Sequence, residues 1–115
     1  MADTTIEFDI TRVGGIGEFT LEKIPVGKEP DVEEVAVYRV PNQDDGAAKA
    51  FLVVRKNTFE VRTDKKLRDL LRERYESVME SRYFGKGGIE IVNSGQISEE
   101  EINDLVRLSY QLTKQ

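Results

Sequence analysis

The sequence contains no cysteine and no histidine, and those two absences exclude more chemistry than any motif in it suggests. Without cysteine there is no disulfide, no thiolate nucleophile and no sulfur ligand for a metal. Without histidine the usual general base near neutral pH and the commonest metal ligand are gone as well. Long apolar runs are also missing. The longest, Ala50 to Val54, is far too short to span a bilayer. The opening Met1-Ala2-Asp3-Thr4-Thr5 has neither the charged nor the apolar region of a signal peptide, so the expectation is a cytoplasmic protein with no membrane contact. No catalytic residue, metal site or cofactor is expected.

What is present suits a small soluble domain. The 115 residues, 38% apolar and 34% charged, are enough for one core, and a single domain over 1–115 is expected. The net charge of −5 is unevenly spread. Between Lys49 and Lys86 there are eleven basic and six acidic residues, a window of +5 inside a remainder of −10. Such asymmetry marks either an anion-binding face or an ordinary solvated one.

The periodicities give the elements. Ile6, Phe8 and Ile10 alternate with acids, Gly14-Gly15-Ile16-Gly17 interrupts, and Phe19 and Leu21 alternate again, which predicts a hairpin-like segment over 5–24. The glycines have neither dinucleotide-fold nor P-loop spacing. Pro25 to Asp31 reads as a loop. Val35 to Val40 is β-branched and aromatic, hence a strand, and Pro41 to Gly46 a polar connection. Lys49 to Lys56 predicts a strand buried on both faces, Lys56-Asn57 a tight turn with Asn tolerating positive φ, and Thr58 to Arg62 the returning strand. These three strands form an antiparallel meander.

Asp64 can cap a helix over Lys65–Ser81, in which Leu67, Leu70, Leu71, Tyr75, Val78 and Met79 form one stripe. The glycine density of Arg82 to Gly88 excludes helix there, and Ile89 to Val92 is the last strand. Ser98-Glu99-Glu100-Glu101 has the form of a capping box opening a helix over Ser98–Lys114, and its carboxylates suit the helix dipole without a metal. Ser109 faces inward between Leu105 and Leu112. As a nucleophile it would lack a base; a back-bond to the Leu105 carbonyl is the expected role. The two stripes need a sheet to cover, so the fold class is α+β, two-layer, an antiparallel sheet with both helices on one face.

The order of these pieces resembles the MmcQ/YjbR family of small domains over about residues 35–113. The resemblance is carried by Tyr38-Arg39-Val40, Lys49-Ala50-Phe51, Phe59 to Asp64, the helix Leu70 to Tyr75, the turn at Tyr83 to Lys86, and the closing helix from Ser98-Glu99-Glu100-Glu101 to Ser109-Tyr110-Gln111-Leu112. It implies a fold like that of secretion chaperones and a non-catalytic role in binding DNA. Nucleic acid would then meet Arg55, Lys56, Arg62, Arg82, Tyr83 and Lys86, weakly and with strong salt dependence. The alternative reading is a protein-interaction or chaperone-like module, with a protein partner or a second copy of the chain.

Overall fold

The computed structural model of the chain describes residues 8–41 and 48–114. A 3-10 turn at Ile10–Arg12 precedes β1 (Thr20–Val26), β2 (Glu33–Val40), β3 (Lys49–Val54) and β4 (Thr58–Arg62). Then come α1 (Lys65–Arg74), β5 (Val78–Ser81), β6 (Gly85–Val92) and α2 (Glu99–Lys114). The strands make one six-stranded sheet in the order β1-β2-β3-β4-β6-β5, with every pairing antiparallel. The fold is therefore α+β, as the two apolar stripes predict. The expected connection after Pro41 lies, apart from Pro41 itself, outside the described residues, as does the Ile6 end of the expected first strand.

Alternation along the strands sends one set of side chains to each face. Tyr38, Leu52, Phe59, Val61, Ile89 and Ile91 join Leu71 of α1 and Ile102, Val106 and Tyr110 of α2 in the main core. The other face holds a smaller cluster of Val35, Val37, Ala50 and Val53. Between β2 and β3 the pairing steps from Tyr38–Leu52 to Arg39–Ala50, so Phe51 is an extra residue in the ladder, a bulge. The bulge puts Phe51 and Leu52 into the same core, where the Phe51 ring meets Tyr110 edge-on at 5.0 Å.

Ser109 uses that irregularity. It is fully buried; its hydroxyl donates to the Phe51 carbonyl at 2.5 Å and accepts the Arg62 N–H at 2.8 Å. The expected back-bond to Leu105 gives way to a bridge across two strands, because the bulge leaves the Phe51 carbonyl facing α2. The back-bond in this helix is made one turn later, from the Thr113 hydroxyl to the Ser109 carbonyl at 2.8 Å.

Three further expectations are corrected. The first helix ends at Arg74, not Ser81: Tyr75 is extended and caps it through its N–H to the Leu71 carbonyl. Val78 and Met79, which continue the helical stripe in sequence, instead belong to an edge strand with Val78 buried and Met79 exposed. The spacing that fits a helix also fits this alternation, and pairing with β6 decides it. The second correction is at the N-terminus, where Ile10 sits on a 3-10 turn capped by Asp9 rather than in a hairpin. That turn tucks Ile10 and Val13 into the main core, and Phe8 lies 5.5 Å from Phe59, edge to face. The third is at Asn57, whose turn is closed by Arg55 N–H to Thr58 carbonyl at 2.9 Å without any positive φ.

Both helix starts follow their sequence signals. Asp64 accepts the Leu67 N–H at 2.8 Å, and the Ser98 hydroxyl accepts the Glu101 N–H at 3.2 Å. The Glu101 carboxylate takes the Tyr75 hydroxyl at 3.2 Å, tying the start of α2 to the end of α1. No helix among the described residues is long and apolar enough to cross a membrane.

Candidate functional site

Five bases of the +5 window, Lys65, Lys66, Arg68, Arg72 and Arg74, lie on α1, whereas Arg55, Arg62 and Arg82 are engaged around the sheet face away from the helices. Register places Glu60 of β4 directly opposite Glu90 of β6, and both are buried, at 0% and 2% exposure. Two adjacent buried carboxylates would repel each other and lose their hydration. Glu60 is relieved by the Arg55 guanidinium, by the Ser81 hydroxyl at 2.6 Å and by the Tyr83 N–H at 2.8 Å. Glu90 is held bidentately by Arg82, at 3.0 and 2.6 Å. Burial alone would raise the Glu90 pKa, but the Arg82 hydrogen bonds and the Arg82 and Arg55 charges outweigh it, and its carboxyl titrates below the usual range.

The turn at Tyr83-Phe84 closes this network from above. Phe84 packs on the small outer cluster, and the Arg62 guanidinium lies 4.9 Å from its ring centre while donating to the Ala50 carbonyl at 2.7 Å. The close approach requires Gly88: a Cβ there would stand 2.4 Å from the Val61 carbonyl oxygen and 2.9 Å from Phe84. Of the six residues expected to meet nucleic acid, Arg55, Arg62 and Arg82 are thus spent on carboxylates, a carbonyl and a ring. The Lys56 N–H donates to Glu33, and the Lys86 carbonyl accepts from Arg68. Tyr83 is the most exposed aromatic ring of this turn, edge-on to Phe84 at 5.0 Å. The structure gathers Arg55, Arg62 and Arg82 around Glu60, Glu90 and Phe84, with Arg55 buried and Lys56, Arg82, Tyr83 and Lys86 exposed.

The helix-bearing face offers a different surface. The α2 helix covers β3 and β4 but makes no comparable contact with β1, so one end of this face is left open beside the start of α2. A cleft of about 1320 Å3 occupies that end. Its apolar walls include Phe8, Ala36, Val54 and Phe59, with Leu21 and Val32 towards the β1 side. At the rim stand Arg12, 3.7 Å from Asp9 and 3.2 Å from Glu99, and Lys23, 3.9 Å from Glu34. Three carboxylates against two bases give this rim a formal charge of −1. Asp9 accepts both the hydroxyl and the N–H of Thr11, which hold its carboxyl below the usual range.

Tyr38 also lines the cleft. Its ring lies 5.8 Å from Phe19 and 6.3 Å from Phe51, and burial pushes its phenol pKa up, with the Asp9 charge adding to the effect. The hydroxyl is therefore a proton donor throughout the neutral range. The sequence reading places Tyr38 in a strand and in the family resemblance but gives it no site role. The available signal was its parity with Ala36 and Val40, which puts a polar hydroxyl on the core side of the strand. Among the described residues no group of three or more acidic side chains is arranged to hold a metal.

Comparison with known families supplies the remaining finding. The family model of the AMP-binding enzyme C-terminal domain matches residues 25–84, 60 of the 115 residues, and the chain belongs to that family. The matched stretch runs from the end of β1 to the turn before β6. It includes β5, whose only sheet neighbour among the described residues is β6, so the matched part pairs its last strand with residues beyond the match. No curated protein and no solved structure matches the chain. This overturns the resemblance to the MmcQ/YjbR family and with it DNA binding; the protein-interaction or chaperone-like alternative fits no better. The strand, helix and turn order behind that resemblance is a property of α+β layering and is shared by unrelated domains.

Proposed function

We propose that the chain serves an AMP-binding enzyme as its family name describes, as an accessory domain with no reaction centre of its own that lends one wall to an adenylate site. The observation that carries this reading is the family match over residues 25–84. The chemistry of the chain supports it, since a sequence without histidine or cysteine has neither the usual general base nor the most reactive nucleophile. The cleft beside α2 supports it too. It is open along one side, and its charged groups are already paired, so it can hold part of a nucleotide and leave the rest to another part of the enzyme.

Calorimetric titration with AMP tests the binding half of the proposal, and incubation with AMP or ATP tests the catalytic half. Saturable binding in the millimolar range or tighter, with the nucleotides recovered unchanged, is expected. Absence of AMP binding would overturn the adenylate reading, and turnover of either nucleotide by the chain alone would overturn its non-catalytic part.

A further inference from the structure

We infer that the groove between α1 and α2 is a docking surface for a second copy of this chain, which closes on it as a two-fold dimer with α1 of each copy packed on α2 of the other. The inference is independent of the adenylate reading, because it uses the side of α2 that faces α1 and not the cleft towards β1.

The sheet order puts β4 beside β6. With α2 on β3 and β4 and α1 on β5 and β6, the two helices are neighbours, yet they hardly touch each other. The Tyr75 hydroxyl donates to Glu101 at 3.2 Å, which sets the end of α1 beside the start of α2, so the helices run antiparallel. That bond also marks the side of α2 that faces α1, where Leu105, Leu108 and Leu112 follow Glu101 at helical spacing. On the other helix, β4 and β5 both run antiparallel to β6, so α1 is a crossover between parallel strands. The right-handed sense of such crossovers turns Leu67 and Leu70, with the flanking Lys66 and Arg74, towards α2.

The groove between them is apolar and open. Leu70 is 57% and Leu108 37% exposed, and Leu67, Leu105 and Leu112 are only half-buried. Its two banks differ in charge: α1 carries five bases and two acids, α2 four acids and two bases. Lys66, Arg74 and Glu101 have no ion pair among the described residues, and Asp104 has only the exposed one to Arg107 at 2.8 Å. A groove with one positive and one negative bank is complemented by the same groove turned round. A two-fold axis along the helices brings Arg74 of each copy level with Glu101 and Asp104 of the other, and Leu70 level with Leu105 and Leu108. Each helix then meets an antiparallel partner, and the two dipoles oppose favourably. A foreign helix of a single charge sign would lose at one bank what it gains at the other.

Analytical ultracentrifugation of the full chain, from micromolar to near-millimolar concentration, tests the dimer. Twice the mass of one chain is expected at the upper end, with salt promoting dissociation because it screens the banks. Arg74→Glu and Asp104→Arg, both at exposed positions, should each weaken association by about tenfold or more, since each sets like charges against each other. Mixing the two variants should restore a dimer, because only their heterodimer regains opposite charges at both contacts. Leu70→Asp probes the apolar wall independently and should leave a monomer at every concentration. A natural chain that stays monomeric, or that assembles without stopping at two, would overturn the inference. So would a dimer indifferent to these substitutions, or one that the mixture of charge variants fails to restore.

Discussion

The two faces of the sheet bury their residues by opposite means. The face under the helices is apolar, filled by rings and branched side chains from β2, β3, β4, β6, α1 and α2. The outer face buries two glutamates side by side and balances them with Arg55 and Arg82 under the Tyr83-Phe84 turn. An apolar face can stop short of full coverage at moderate cost, leaving a cleft where helix α2 ends its reach. A buried ionic face cannot, because any unmatched charge is expensive. The region richest in charge is therefore the one committed to structure, and the region with room for a ligand is the quieter one.

The comparison can be broken most forcefully at Glu60. Glu60→Ala removes the partner of buried Arg55 and the acceptor of the Ser81 hydroxyl and Tyr83 N–H, and should cost about 3–5 kcal/mol in urea denaturation. A loss below about 1 kcal/mol, the scale of an exposed ion pair, would show the network to be solvated instead. Ser109→Ala breaks the helical face more gently. It orphans the buried Phe51 carbonyl and Arg62 N–H, with an expected loss of about 1–3 kcal/mol; an unchanged midpoint would mean that both groups find other partners.

The smallest effect sharpens the contrast through pH. Glu90 is depressed in the folded state, so its stabilisation is complete above the unfolded glutamate value, about 4.3, and is lost as pH falls through the lower folded value. Acid unfolding followed from neutrality downward should lose part of its slope in Glu90→Gln. Ser109→Ala, on the other face, should keep that slope. Equal slopes in the natural chain and Glu90→Gln would remove Glu90 from the acid response.

Much of the fold was legible because local signals and tertiary demands agree there. Val35 to Val40 is β-branched and aromatic as a strand should be, Phe59 and Val61 share one face of Thr58 to Arg62, and Asp64 and Ser98 cap the helices that follow them. The end of α1 was not legible, since Val78 and Met79 satisfy helical and strand spacing at once and only the β6 edge decides between them. The site was harder still. Thr58-Glu60-Arg62 has the pattern of a solvent-facing strand side, and nothing local announces that the Tyr83-Phe84 turn, more than twenty residues on, folds over it. The basic window was read as excess charge because its balancing partner Glu90 lies just outside it in sequence, while Glu60, inside it, is buried across the strand from Glu90. The family was misread for the same reason: the matching elements report layering, which many domains share, and carry no site chemistry.

The most direct test of the contrast between the two faces is a backbone amide NMR titration of the full chain with AMP, read over both at once. The account predicts saturable shifts around the cleft, at Tyr38, Phe59, Ile97 and Ile102, with the amides of Arg55, Glu60, Arg82 and Glu90 unmoved. Shifts centred on the arginines and glutamates of the outer face, with the cleft silent, would contradict it.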